Sequence, residues 1–344
     1  LGAVTALAFS PDGKRLALGM YGQVVLYDTA TWQPVATYRD VEDTVRCLAY
    51  HPDGKTLAIG SGLPARSGDI RLWDTTGANK PILFPPHKDT IETLAFDKDG
   101  KSLLVGSNDN EAHYFPHLPF AAGPHLTEHN GRVQAVALSP KPDFILVTGA
   151  ADKIVKVWDL KTMRTVVNFD QSEAPITGLG FLANGVQFVA SSADGKLHWW
   201  GINYDERKNV FSGYYYRQFT AHNGPILALG VSGDSSRLIT GGEDHNVGVW
   251  RADDGAQLHV FKESAQPIYA VALTRDGKIA AAGGCDGLLR IWDVEANKLL
   301  QTITPPALPR PASPVAKPVP AAHTAPAAKR ASGKSTSNTP QKHA

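Results

Sequence analysis

The chain has 344 residues, 42% of them hydrophobic, and a formal net charge of +1 at neutral pH. That length and apolar content suffice to bury one large core or several small ones. The only cysteines, Cys47 and Cys285, exclude a disulfide framework and a four-cysteine zinc site, and no apolar run reaches the ~18 residues a membrane-spanning helix needs.

The small net charge conceals an uneven distribution. From Pro305 onward there are six basic residues and no acidic ones, so the preceding part carries 28 basic against 33 acidic groups, a net of −5. A mildly acidic body is a poor surface for nucleic acid, because a phosphate backbone must be met by a basic stripe. The sequence starts at Leu1 in mid-pattern, without an initiator methionine or a charged-then-apolar leader, and reads as though an N-terminal portion preceded it. The compartment is left open: cytoplasmic, or periplasmic if an export signal lies upstream.

Taken in chain order, the predicted elements repeat. The first unit reads "VTALAF", then Pro11-Asp12-Gly13, then "RLALG", "VVLYD" and "QPVATY". Short apolar runs without helical spacing, stopped by turn residues, predict strands. Asp and Pro favour the tight turns between them, and Gly takes the positive φ that a hairpin demands. The second unit echoes the first with "HPDGKTLAIG", lengthens at residues 60 to 69, and ends its third strand with "IRLWD". The third and fourth units carry "EAHYF" and "VKVWD", the latter followed by "TVVNF". In the fifth, "LHWWG" is followed by a long connection, residues 201 to 219, with Tyr214, Tyr215, Tyr216 and Arg217 feeding an outer strand. The sixth has "VGVWR" and "QLHVF", and the seventh "IYAVAL", "KIAAAG", "LRIWD" and "KLLQTI". The aromatics that close the third strands, Tyr27, Trp73, Phe115, Trp158, Trp200, Trp250 and Trp292, are spaced by 46, 42, 43, 42, 50 and 42 residues. Seven units of four antiparallel strands fit residues 1–303. Residues 304–344, Pro- and Ala-rich with scattered Lys, form a predicted disordered basic tail, read either as a tether for an acidic surface or as a solubilising extension.

This pattern resembles the WD-repeat (WD40) β-propeller family, in its bacterial type, through Trp73-Asp74, Trp158-Asp159, Trp292-Asp293 and the variant Tyr27-Asp28. The resemblance implies an all-β fold, a seven-bladed β-propeller of four-stranded antiparallel blades. It also implies a polar relay in each blade: a His before the first strand, a Ser or Thr on the second, an Asp in the next turn and the Trp of the third. Two units match in full, with His129, Thr148, Asp152 and Trp158, and with His222, Thr240, Asp244 and Trp250. The third has His87 and Asp109 but Phe115 in place of the indole. The fifth and seventh pair Asp194 with Trp200 and Asp286 with Trp292 but lack the His, and the first and second place Tyr21 and Ser67 where the turn Asp belongs. Because the seventh unit has its own fourth strand, ring closure is expected to rest on packing between units one and seven.

No CxxCH, HExxH, calcium-loop or GxSxG pattern occurs; "GLGFLA" lies within a strand, and "GKST" in the tail lacks the earlier glycine of a phosphate loop. His87, His129 and His222 are assigned to relay positions, so neither a metal nor a cofactor is expected. The resemblance implies a non-enzymatic scaffold that binds a protein or peptide on its rim and channel mouth. Candidate contact residues, from their places around the first strands and tight turns, are Tyr21, Arg46, Arg66, Glu92, Asn108, Arg132, Gln134, Glu243 and Tyr269. The alternative is the recognition or regulatory propeller of a larger enzyme or electron-transfer protein, with a kinase, hydrolase or c-type cytochrome domain upstream, as in bacterial chains similar to this one.

Overall fold

The turn between the first two strands is stapled by its own side chains. Ser10 Oγ donates to Asp12 Oδ1 at 2.6 Å and accepts the Arg15 N–H at 2.9 Å, while Gly13 donates its N–H to the Ser10 carbonyl. Gly13 sits at φ +71°, where a side chain would be strained. The turn lays Ala6–Phe9 against Arg15–Met20, and the chain then meanders through Gln23–Asp28 and Pro34–Tyr38.

The computed structural model describes residues 2–84, 87–117, 123–141 and 144–307. Among them the same meander is made seven times, giving seven four-stranded antiparallel sheets whose strands follow chain order. The fold is an all-β seven-bladed propeller. The seventh blade is built from Ile268–Leu273, Ile279–Gly284, Leu289–Asp293 and Lys298–Ile303, so it owns its fourth strand. The tail predicted from residue 304 lies, from residue 308 on, outside the described residues.

No blade can bury both faces of its sheet alone, and seven apolar clusters lie between consecutive blades. A small residue on the second strand keys each contact. Gly19 faces Val45 of the next blade, Gly60 faces Ile91, Gly106 Val133, Gly149 Ile176 and Gly241 Ile268. In the fifth blade Ser191 takes the equivalent place. The series closes on itself, since a Cβ on Gly283 would stand 2.5 Å from Val4 Cγ1, and the Val4 N–H donates to the Gly284 carbonyl at 3.0 Å. Leu16, Leu18 and Val25 of blade one pack with Ala281, Leu289 and Ile291 of blade seven. After the last strand, the Pro306 carbonyl accepts a 2.7 Å bond from Gln23 Nε2, adding a polar tie across the seam.

Two segments expected as loops are strands. Residues 60 to 69 extend the second blade's inner hairpin, with Thr56–Leu63 and Ser67–Asp74 paired down to Leu63 and Ser67. In the fifth blade, Lys196–Asp205 and Val210–Thr220 stay in register down to Asp205 and Val210. The ladder persists because Tyr204 stacks on Phe211 at 4.5 Å between ring centres and both rings pack on Phe144.

Candidate functional site

Every first strand starts on the same rim as the turns between second and third strands, since the intervening strand reverses direction. We call this the upper rim. Where the first strands of blades three to seven begin, their pairing with the second strand skips one residue: Glu92, Gln134, Thr177, Leu227 and Tyr269. A bulge of this kind frees a side chain from the pleat and re-aims it. Those five side chains, with Thr5 and Arg46 from blades one and two, line a cavity of about 470 Å³ at the mouth of the channel, one residue per blade. The residue before each is a buried β-branched side chain, Val4, Val45, Ile91, Val133, Ile176, Ile226 or Ile268, each fully buried at the blade junction. Burial on one side of the chain thus forces the next residue into the opening.

Four of the nine candidate contact residues, Arg46, Glu92, Gln134 and Tyr269, come together in this ring. Thr5, Thr177 and Leu227 complete it and escaped sequence reasoning because nothing in their chemistry singled them out. Tyr21, Arg66, Asn108, Arg132 and Glu243 do not line the cavity; they lie in turns and strand entries of the same rim. Of these, Asn108 is joined to the ring, since its Nδ2 donates to Glu92 Oε1 at 2.8 Å. Arg66 caps the extended hairpin of blade two and is exposed. Tyr21 and Tyr269 are 56% and 38% exposed, unusual for rings of that size, and belong to the adjacent blades one and seven. The Cys285 thiol, then burial and the Glu243 carboxylate, raise the Tyr269 phenol, so it stays a neutral hydrogen-bonding group. Just inside the mouth, burial and then Glu92 push the Cys47 thiol well up, which leaves it without thiolate reactivity.

In blade four, His129 Nδ1 lies 2.8 Å from Asp152 Oδ2 and Nε2 lies 2.7 Å from Thr148 Oγ1, which accepts the Trp158 indole N–H at 2.8 Å. Blade six repeats this with His222, Asp244, Thr240 and Trp250 at 2.9, 2.7 and 2.9 Å. Burial pushes the Asp152 carboxyl up, but the bond and charge of His129 and the N–H groups of Asn130 and Ile154 outweigh it and hold the group below its ordinary value. Asp244 behaves likewise, with burial opposed by His222 and the Asn223 and Asn246 N–H groups.

Segments 32–74, 80–115, 124–159, 213–251 and 255–293 each match the family described as WD domain, G-beta repeat, and together they take in more than half of the chain. The chain belongs to the WD40 repeat family. WD40 domains are generally non-catalytic and typically serve as protein-interaction scaffolds. Among similar WD40 proteins, apoptotic protease-activating factor 1 of Rattus norvegicus is 26% identical over 46% of this chain and 12% of its own length. Transcription initiation factor TFIID subunit 5 of Caenorhabditis elegans is 25% identical over 51% of this chain and 25% of its own. The GATOR2 complex protein WDR24 of Gallus gallus is 31% identical over 36% of this chain and 17% of its own. The chain thus spans a quarter or less of these relatives.

The other WD40 blades replace the relay in different ways. Blade seven substitutes an ion pair, Arg290 to Asp286 at 2.6 Å, and blade five sets His198 Nε2 3.2 Å from Ser192 Oγ while Trp200 donates to Gln171 at 3.1 Å. Blade three departs most. Val105 stands where Thr148 and Thr240 stand, so His87 lacks a hydroxyl as well as an indole, and its Nε2 is buried without a hydrogen-bond partner. The relay expected to lack its indole in this blade thus lacks its hydroxyl as well. Burial, then the neighbouring His113, pushes the His87 imidazole down to about 4.

Proposed function

We propose that the protein is a non-enzymatic scaffold that holds a protein or peptide partner on its upper rim, centred on the seven-residue mouth. The observation that carries this reading is the bulge: the same local device in blades three to seven turns one side chain per blade into a shared opening. The ring mixes a cation, an anion, amide and hydroxyl groups, an aliphatic and an aromatic. Such a set suits a chemically varied peptide surface better than one small apolar ligand. Tyr269, Tyr21 and Arg46 belong to three adjacent blades, and Tyr and Arg are the side chains favoured at the energetic centre of interfaces. Residues 304–344 act in this reading as a basic tether toward an acidic surface.

The test is affinity measurement with a partner captured by the wild-type chain. Arg46→Glu with Tyr269→Ala is expected to weaken binding at least tenfold, while Lys101→Glu, 76% exposed on the opposite rim, leaves it unchanged. Unchanged affinity in the double variant would refute the assignment.

A second reading has one observation in its favour: the relatives carry the matching propeller on a minor part of their length. On that reading the ring is the recognition part of a larger enzyme or electron-transfer protein, and the same mouth presents the partner to it.

A further inference from the structure

The third blade poses a problem of charge. Asp109 has a side chain only 6% exposed, and its Oδ2 has no hydrogen-bond donor. In blades four and six the matching carboxylate faces a His nitrogen at hydrogen-bond distance, and in blade seven it meets a guanidinium. Here its neighbours are two imidazole nitrogens that are equally unpartnered, His113 Nε2 at 3.5 Å and His87 Nε2. His87 and His113 are 8% and 6% exposed, with ring centres 4.2 Å apart. The three donor atoms all lie within 4.8 Å of one another. Asp109 Oδ1 accepts the Glu111 N–H, but a buried carboxylate oxygen without a short hydrogen bond is costly, and each of these three atoms can turn a lone pair to a shared cation.

We propose that His87, Asp109 and His113 hold a single zinc ion, with a solvent molecule as the fourth ligand. Bonds of about 2.0–2.1 Å in a tetrahedron set the ligand atoms about 3.3 Å apart, so the 3.5 Å from His113 Nε2 to Asp109 Oδ2 needs only a small contraction. Two imidazoles and one carboxylate are the protein's ligands, and solvent completes the tetrahedron. A mixed nitrogen and oxygen set without thiolate suits zinc, whereas calcium and magnesium take oxygen ligands. Glu111 borders the site, its Oε2 3.7 Å from His113 Nε2 and 2.9 Å from Nδ1 of His125, which lies directly across the ladder from His113. The backbone of the site is held as well, because His87 and Gly68 exchange hydrogen bonds of 2.8 and 3.0 Å between blades three and two. The ion would join the approach to the first strand, the next turn and the third strand of one blade, a structural role in place of the missing relay.

The experiment strips the full-length chain with a chelator, dialyses it against zinc chloride, and measures bound zinc by elemental analysis with thermal unfolding alongside. Wild type is expected to retain one zinc per chain and to unfold at a higher temperature with zinc than without. Asp109→Asn and His87→Gln, each checked for fold by circular dichroism, are expected to lose that equivalent and that rise; His245→Gln, half-buried in the turn between the second and third strands of blade six, keeps both. Cobalt(II) on the unaltered chain gives a readout that needs no variant, and an intense tetrahedral visible spectrum is expected. A wild type that retains no more zinc than the Asp109→Asn chain, or a cobalt spectrum of the hydrated ion, would overturn the proposal.

Discussion

At the scale of single residues, the relay of blade four joins a carboxylate, an imidazole, a hydroxyl and an indole in series. An indole N–H can only donate, so Thr148 Oγ1 accepts from Trp158 and meets His129 Nε2 with its second lone pair or its own proton. An imidazole proton must sit on Nδ1, facing Asp152. Since the folded carboxyl titrates below its ordinary value, its contribution to stability is present in full above the unfolded pKa and is lost as pH falls through the folded one. Asp152→Asn is therefore expected to cost about 1–3 kcal/mol at pH 7. The gap to wild type should begin to shrink as pH falls past the unfolded carboxyl's value of about 4 and close only below the lower folded value, where both states carry a protonated acid. Denaturant unfolding at the two pH values checks this, and an equal gap at both would show that the charge contributes nothing. The mouth side chains obey a different residue-scale rule, since what distinguishes them is position after a buried β-branched neighbour, not their own chemistry.

At the scale of elements, the blades are held by shape. The second strand presents a glycine where the neighbour's valine or isoleucine arrives, and the contact recurs at six of the seven junctions, including the one that closes the ring. Gly283→Val should clash with Val4 and destabilise the protein by about 1–3 kcal/mol, the ordinary cost of overpacking, with a lower unfolding midpoint and faster amide exchange in strands of blades one and seven. An unchanged midpoint would mean that the seam is not close-packed. Strand number and order were legible in the sequence because the period of roughly 42 residues and the Asp-Gly turns restate one unit seven times. The extended hairpins were not, because "GINYDERKNVF" has polar turn formers in its middle, and only the stacking of Tyr204 on Phe211 shows that the ladder continues past them. The cluster in blade three was hidden for a similar reason. Asp109 lies 22 residues from His87 in the chain, and the faces on which His113 and His125 fall depend on a register that alternation alone does not specify.

At the scale of the whole molecule, a ring closed by packing, without exchange of a strand between its ends, is a stiff support whose loops and strand entries face outward together. Four of the nine candidate contact residues converge, three of them on bulges and Arg46 by the same place after a buried β-branched neighbour, which no reading of residue type reveals. The account stands on the claim that partners meet this mouth. Its most direct test is site-specific photo-cross-linking: a benzophenone amino acid placed in turn at positions 46, 269 and 101, with the partner present. The account predicts adducts from positions 46 and 269 and none from position 101; adducts from position 101 alone would contradict it.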